Sequence, residues 1–409
     1  PNVKLRDRRL TTIINLGKDN LASFVRHMKA ETLMHSLNEM LGDPAKTYRQ
    51  SAECWSSSLV EAIRKSAMEH ANRNGFFKAQ CDAIDLDPSA IADIGDFRRI
   101  PLIPVSMFKR PDAHLLLTCP LSEIENEIRS TGTSGIPSVA RRDGRTLTRV
   151  LLAVTGIYRE FLGLSGGTGI FLSPSTAEAP EMGMVKVFNI LNGIFDKGLN
   201  LVENYSFDPG AAADLIRHEK GRMTRHIIGP PFLVARLLRH LESKSIDLRL
   251  DPDSVILTLG GWKRYTGESI QQEEFRARCH SLLSIDPGNM RDMYGMIESN
   301  MLAVECPYHR KHVPPWCYVS VRDMNDPTQA LPNGVDGSIA ILDPLNTSYP
   351  GFLLSDDVGS VEFGECGCGR TGQVVTFRRR REGAEIGCCA VSIERYLDDE
   401  ATASCTLPR

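Results

Sequence analysis

The chain has 409 residues, with 48 Lys plus Arg set against 51 Asp plus Glu for a formal net charge of -3. That length can bury a large core in two or three domains, and the near balance of charge supplies no field for steering onto nucleic acid or anionic lipid, which leaves a small molecule or a protein as the partner. No apolar run approaches the roughly 18 to 20 residues that span a bilayer, the stretch from Pro1 to Asn20 is not signal-like, and 11 scattered cysteines favour metal or thiol chemistry over a disulfide framework, so a cytoplasmic protein is expected.

From Asn20 to Asn74 the residues Leu21, Phe24, Val25, Met28, Leu33, Trp55, Leu59 and Ile63 recur at roughly helical spacing, broken at Gly42-Asp43-Pro44. Residues 1–95 are therefore predicted as a helical region. Next, Arg99-Ile100-Pro101-Leu102-Ile103-Pro104-Val105 carries two prolines, which restrict it to extended or edge structure and lead the chain onto a sheet. Through residue 315 short β-rich runs (Gly169 to Leu172, Ser254 to Leu259) alternate with helical patterns (Phe232 to Leu241, Ser269 to Arg276), the signature of an α/β core with a largely parallel sheet over 96–315. After Pro315 the runs Cys317 to Val321, Gly337 to Leu342, Gly359 to Phe363 and Gln373 to Phe377 are separated by turn residues, which predicts a smaller β subdomain over 316–378 and a short tail over 379–409.

Ser130-Thr131-Gly132-Thr133-Ser134-Gly135-Ile136-Pro137-Ser138 concentrates hydroxyls and glycines, so backbone N–H and side-chain O–H groups can converge on a polyphosphate. It is not a Walker loop, because no Lys follows the second glycine; taken alone, it also suits a polar turn. Gly260-Gly261 follows the apolar run Val255 to Leu259, as a strand end does where backbone approaches a ligand, with Lys263 close by. Cys306, His309, His312, Cys317 and Cys366-Gly367-Cys368 form a compact set of soft ligands, four of which would make a closed zinc site; free thiols are the alternative.

In order and approximate spacing, the hydroxyl and glycine loop, Tyr294-Gly295-Met296-Ile297-Glu298 and Leu354-Ser355-Asp356-Asp357 resemble the adenylate-forming superfamily. Ile100-Pro101 with Pro104 and Phe108-Lys109, Gly260-Gly261-Trp262-Lys263, and Glu382-Gly383-Ala384-Glu385 running into Cys388-Cys389-Ala390 look most like the acyl-protein synthetases of bacterial bioluminescence, with phenylacetate–CoA ligases as near relatives. The resemblance covers roughly residues 95 to 390. It implies a large N-terminal domain of layered sheets and helices, a smaller β subdomain, and a mobile C-terminal domain that is truncated or absent. It also implies that ATP activates a carboxylic acid as acyl-AMP with release of pyrophosphate, after which the acyl group passes to a thiol.

By that resemblance Ser130, Thr131, Gly132, Thr133, Ser134 and Gly135 hold the phosphates, Tyr294 and Gly295 meet the base, Glu298 holds magnesium and Asp357 takes the ribose hydroxyls. The acyl-adenylate lies across Gly260 and Gly261. A lysine of the C-terminal domain normally supports adenylation, but Lys311 is the last lysine here, so either another residue, with Lys263 the candidate, supplies that charge or the rate is low without a partner protein. Cys389 aligns with the acyl-accepting cysteine, and the basic run Arg378 to Arg381 would lower its pKa if it folds close by. Relatives among the phenylacetate–CoA ligases point to Cys306, His312, Cys366 and Cys368 as zinc ligands. The partners implied are the acid and an acyl-acceptor protein or reductase; oligomeric state is open. Other outcomes to weigh are a free-standing ligase that delivers the acyl group to CoA, a carrier-protein thiol or an amine, and a catalytically silent scaffold.

Overall fold

The computed structural model describes residues 35–130, 136–163, 166–180, 182–204, 206–261 and 270–382. Helices α1 (His35–Gly42), α2 (Pro44–Thr47), α3 (Ala52–Arg73) and α4 (Gly75–Ala83) open it, while Leu21, Phe24, Val25, Met28 and Leu33 of the predicted helical region lie outside the described residues. The break falls where Asp43 caps α2 and Pro44 takes its first turn, a position that has no N–H to satisfy. On α3, Trp55, Leu59, Ile63 and Ala67 make one buried stripe against Phe77, Phe97 and Phe352.

Strand β1 (Ile103–Pro104) follows, then the hairpin β2 (Ile124–Arg129) and β3 (Val139–Asp143) and helix α5 (Gly144–Leu162). The α/β alternation continues through β4 (Thr168–Phe171), α6 (Gly183–Asn192), β5 (Lys197–Asn200), α7 (Pro209–His218), β6 (Arg225–Gly229), α8 (Pro231–Ser243), β7 (Ile256–Leu259), α9 (Gln272–Leu283) and β8 (Met290–Gly295). Six strands complete the described chain: β9 (Leu302–Glu305), β10 (Lys311–His312), β11 (Tyr318–Arg322), β12 (Gly337–Leu342), β13 (Phe352–Glu365) and β14 (Thr371–Arg380).

One 12-stranded sheet runs β11-β12-β13-β14-β10-β9-β8-β7-β6-β4-β5, with β1 paired to β13. Its β5-β4-β6-β7-β8 half is parallel, and β4 and β6 are buried at every residue, as strands covered on both faces must be. From β8 to β9 the pairing turns antiparallel, so the strands after Pro315 extend the same sheet. Strand β13 is longer than its apolar alternation suggests. It starts at Phe352 and carries Ser355, Asp356 and Asp357 through a register shift against β12, with Asp357 paired to Arg380 on β14, and all three line the site described next.

Candidate active site

The phosphate-loop candidate sits at the tip of the β2–β3 hairpin, whose neck the structure closes. Ser130 N–H donates to the Ser138 carbonyl at 2.9 Å, and Ser138 N–H donates to Ser130 Oγ at 2.8 Å. Thr131, Gly132, Thr133, Ser134 and Gly135 lie outside the described residues, as do Lys263 and Cys389. Helix α5 leaves the hairpin directly, capped by Asp143, which accepts from Thr146 N–H at 2.8 Å and from the Thr347 hydroxyl at 2.8 Å. The loop is thereby mounted on a buried anchor.

A cavity of about 200 Å³ joins segments far apart in sequence: Ser130, Gly260, Gly295, Glu298 and Asp357 all line it. Leu147, Val150 and Val154 of α5, with Met184, Val187 and Ile190 of α6, give it an extended apolar wall. Lys109 lines it as well, delivered by the proline segment whose Ile103 and Pro104 pair with Leu353 and Leu354, immediately before Ser355.

Glu298 is 8% exposed, and burial pushes its carboxyl above the usual carboxylate range, partly offset by a hydrogen bond from the Ser138 side chain. Ser138 therefore ties the loop's far end to Glu298, a role that its place in the hydroxyl-rich run does not reveal. Tyr349 steadies the same segment by donating to the Glu298 carbonyl at 2.9 Å. A buried carboxylate held by a hydroxyl fits magnesium, which commonly takes one or two carboxylates and fills its shell with phosphate oxygens and water.

Asp357 is 3% exposed. Its Oδ2 accepts from the Tyr294 hydroxyl at 2.9 Å, and its Oδ1 forms an ion pair with Arg380 Nε at 3.1 Å. The Tyr294 ring stacks on Phe377 with centroids 5.9 Å apart. Tyr294 thus stands behind Asp357, and the basic run supplies Asp357 with a partner through Arg380, while Arg378 approaches Asp336 at 3.4 Å. Gly260 and Gly261, at φ +99° and +66°, take backbone conformations that suit glycine at the end of β7.

At the other end of the β13–β14 hairpin, Cys306, His312, Cys366 and Cys368 bring their ligand atoms within 4.8 Å of one another. Cys306 Sγ is 3.8 Å from Cys366 Sγ, and Cys368 Sγ is 3.4 Å from His312 Nε2. Two turns of one form build the cluster: Cys306 N–H donates to the Arg310 carbonyl, Cys366 N–H to the Arg370 carbonyl, and positive φ falls at His309 and Gly369. Burial lowers the His312 pKa to about 4, which keeps its imidazole neutral and ready to ligate. Hydrogen bonds from Arg370 hold the Cys368 thiol below its ordinary range although burial opposes them. Three thiols and a neutral imidazole match a closed tetrahedral zinc site. The other two candidates turn away, His309 toward Glu305 and Cys317 toward Asp343.

This layered α/β architecture is that of adenylate-forming ligases: 2-hydroxyisobutyryl-CoA ligase, in an open conformation with 2-HIB-AMP and CoA, superposes with a TM-score of 0.64 at 15% identity over 83% of this chain and 78% of its own. Within that class, residues 43–398 match the family model of the acyl-protein synthetase LuxE, and the chain belongs to that family. Long-chain-fatty-acid–luciferin-component ligase of Vibrio harveyi is 26% identical over 364 residues, covering 87% of this chain and 91% of the relative. The Aliivibrio fischeri protein of the same name is 26% identical over 305 residues, 73% of this chain and 78% of the relative. The chain is an ATP-dependent ligase that activates a carboxylic acid as acyl-AMP and transfers the acyl group to a thiol. Among the described residues no helix is long and apolar enough to cross a membrane.

Proposed function

We propose that the cavity lined by Ser130, Glu298 and Asp357 is where the adenylate forms, and that the acyl group then moves to Cys389 and on to a protein acceptor such as a reductase. The observation that carries this reading is that three segments far apart in sequence line one cavity that continues into an apolar wall.

The hydroxyls and N–H groups from Ser130 to Gly135 hold the β- and γ-phosphates, so the charge gathered there meets dipoles already in position. Glu298 holds magnesium, with the Ser138 hydroxyl fixing its carboxylate. When bound, the ion neutralises phosphate charge. Asp357 accepts from the ribose hydroxyls, oriented by Tyr294 and Arg380, while the Tyr294 ring borders the base. The acid's carboxylate oxygen attacks the α-phosphorus, forming the acyl–phosphate bond as the bond to pyrophosphate breaks, and Lys263 supports the charge that develops. The apolar wall takes the acyl chain, which agrees with the long-chain acid named for the Vibrio harveyi relative.

In the second half the Cys389 thiolate attacks the acyl carbonyl and expels AMP. The Cys306, His312, Cys366 and Cys368 cluster holds a structural zinc ion, since four protein ligands leave no open position for chemistry.

Acid-dependent exchange of pyrophosphate into ATP tests the first half. Peptide mass spectrometry after incubation with ATP and acid tests the second. An acyl adduct on Cys389 that disappears in Cys389→Ser is expected; robust acyl-CoA formation with no Cys389 adduct would replace this acceptor with CoA.

A further inference from the structure

The hairpin that carries the phosphate loop also holds a polar cluster that the adenylation residues do not use. Asn126 on β2 and Arg142 on β3 face each other in the strand register, and Arg142 Nε donates to Asn300 Oδ1 at 2.7 Å. All three line the cavity, and they are 3%, 4% and 7% exposed. Each keeps one buried polar atom without a hydrogen-bond partner among the described residues: Asn126 Oδ1, Arg142 Nη1 and Asn300 Nδ2.

Leaving such groups unmet is costly, and more so where the group is charged. The hydrogen bonds of the Arg142 guanidinium go to an amide and to the Ile297 and Ser299 carbonyls, none of them an acid. Three unmet groups gathered on one cavity wall are poor for stability and well suited to a ligand. Their inventory is two donors and one acceptor. A hydroxyl offers one donor and two acceptor lone pairs, which complements that set. A carboxylate would serve the donors but set its lone pairs against Asn126 Oδ1, and a methylene would serve none.

Position narrows the class. The carbonyls that Arg142 binds belong to the residues on either side of Glu298, so the cluster lies beside the proposed metal carboxylate, where the acid's carboxyl group reacts on the adenylation reading. We propose that Asn126, Arg142 and Asn300 form a hydroxyl subsite, selecting an acid with an α- or β-hydroxyl over its plain counterpart. This rests on the adenylation reading of the cavity.

The test is acid-dependent pyrophosphate exchange by the full chain at saturating ATP, using matched straight-chain acids of short, medium and long length with and without the hydroxyl. A site built to bind a hydroxyl rejects the analogue lacking it, so kcat/KM is expected to favour the hydroxy acid by about 100-fold. Asn126→Leu is expected to cut that ratio to about 10-fold or less. The wild-type comparison needs no variant. Equal or better use of every plain acid would overturn the subsite and leave the cluster to a buried water, with adenylation intact. Exchange with no acid of either kind would overturn the adenylation reading and the subsite together.

Discussion

The β13–β14 hairpin carries two sites of opposite character at its two ends. At one end Asp357 and Arg380 are register partners on the rim of a cavity, and at the other Glu365 and Thr371 pair just before Cys366 and Arg370. Both ends bury polar groups. The cysteine end spends all of its donor atoms on one another, whereas the cavity end leaves a carboxylate, hydroxyls and an amide cluster facing empty space. A closed set of ligands stabilises a fold, and an open set in a cavity is available to substrates. Variants at the two ends should therefore fail in different ways.

Glu298→Gln should fail hardest, and in catalysis alone. Losing the charge proposed to hold magnesium costs on the order of 3 kcal/mol, more than a 100-fold drop in pyrophosphate exchange. Stability should move the other way. Burial raises the Glu298 carboxyl pKa, so its contribution to stability is present below the ordinary carboxylate range and is lost as pH rises through the folded value. Near neutral pH the metal-free wild type carries that cost and the glutamine does not. Its Tm should match or exceed the wild type at pH 7, and that gap should close as pH falls toward 4. A large Tm loss at pH 7 would make Glu298 a structural residue.

Cys366→Ser should do the reverse. Losing one of four ligands removes metal-linked stability on the order of 3 kcal/mol, with bound zinc and Tm falling together. Metal analysis beside calorimetry decides it, because an unchanged zinc content would defeat the structural-site reading. Asp357→Asn belongs to the open end and is milder than Glu298→Gln. Charge-assisted hydrogen bonds to the ribose would weaken by about 2 kcal/mol, or roughly 30-fold in the KM for ATP. An unchanged KM would remove the ribose role.

Much of the open end is legible in the sequence because its chemistry demands particular residue types at short spacings. Ser130 to Ser138, Tyr294 to Glu298 and the Asp356-Asp357 pair are each local patterns, and Asp357 separates from Asp356 by its buried bonds to Tyr294 and Arg380. Partnerships made across the fold are not legible. Ser138 meets Glu298, and Arg142 meets Asn300, only because the β2–β3 hairpin packs on the 297–300 segment. At the closed end, six cysteines and histidines look alike as ligands. What separates them is backbone shape: the matched turns at Cys306 and Cys366 aim their sulfurs together, while His309 occupies the positive-φ corner and faces Glu305.

The smallest effect should come from Tyr294→Phe, and it divides the aromatic residue into ring and hydroxyl. The ring packs on Phe377 and the hydroxyl donates to Asp357 Oδ2, so the phenylalanine keeps the stack and drops one hydrogen bond. Arg380 still holds Oδ1 of the same carboxylate, which limits the disorder that follows. A loss of about 1 kcal/mol is expected, which raises the KM for ATP less than 10-fold with little change in kcat. Tyr294→Leu removes both parts and should raise KM further while lowering Tm. If the phenylalanine variant loses as much as the leucine variant, the hydroxyl's hold on Asp357 outweighs the ring; if it loses nothing, Arg380 alone orients the carboxylate.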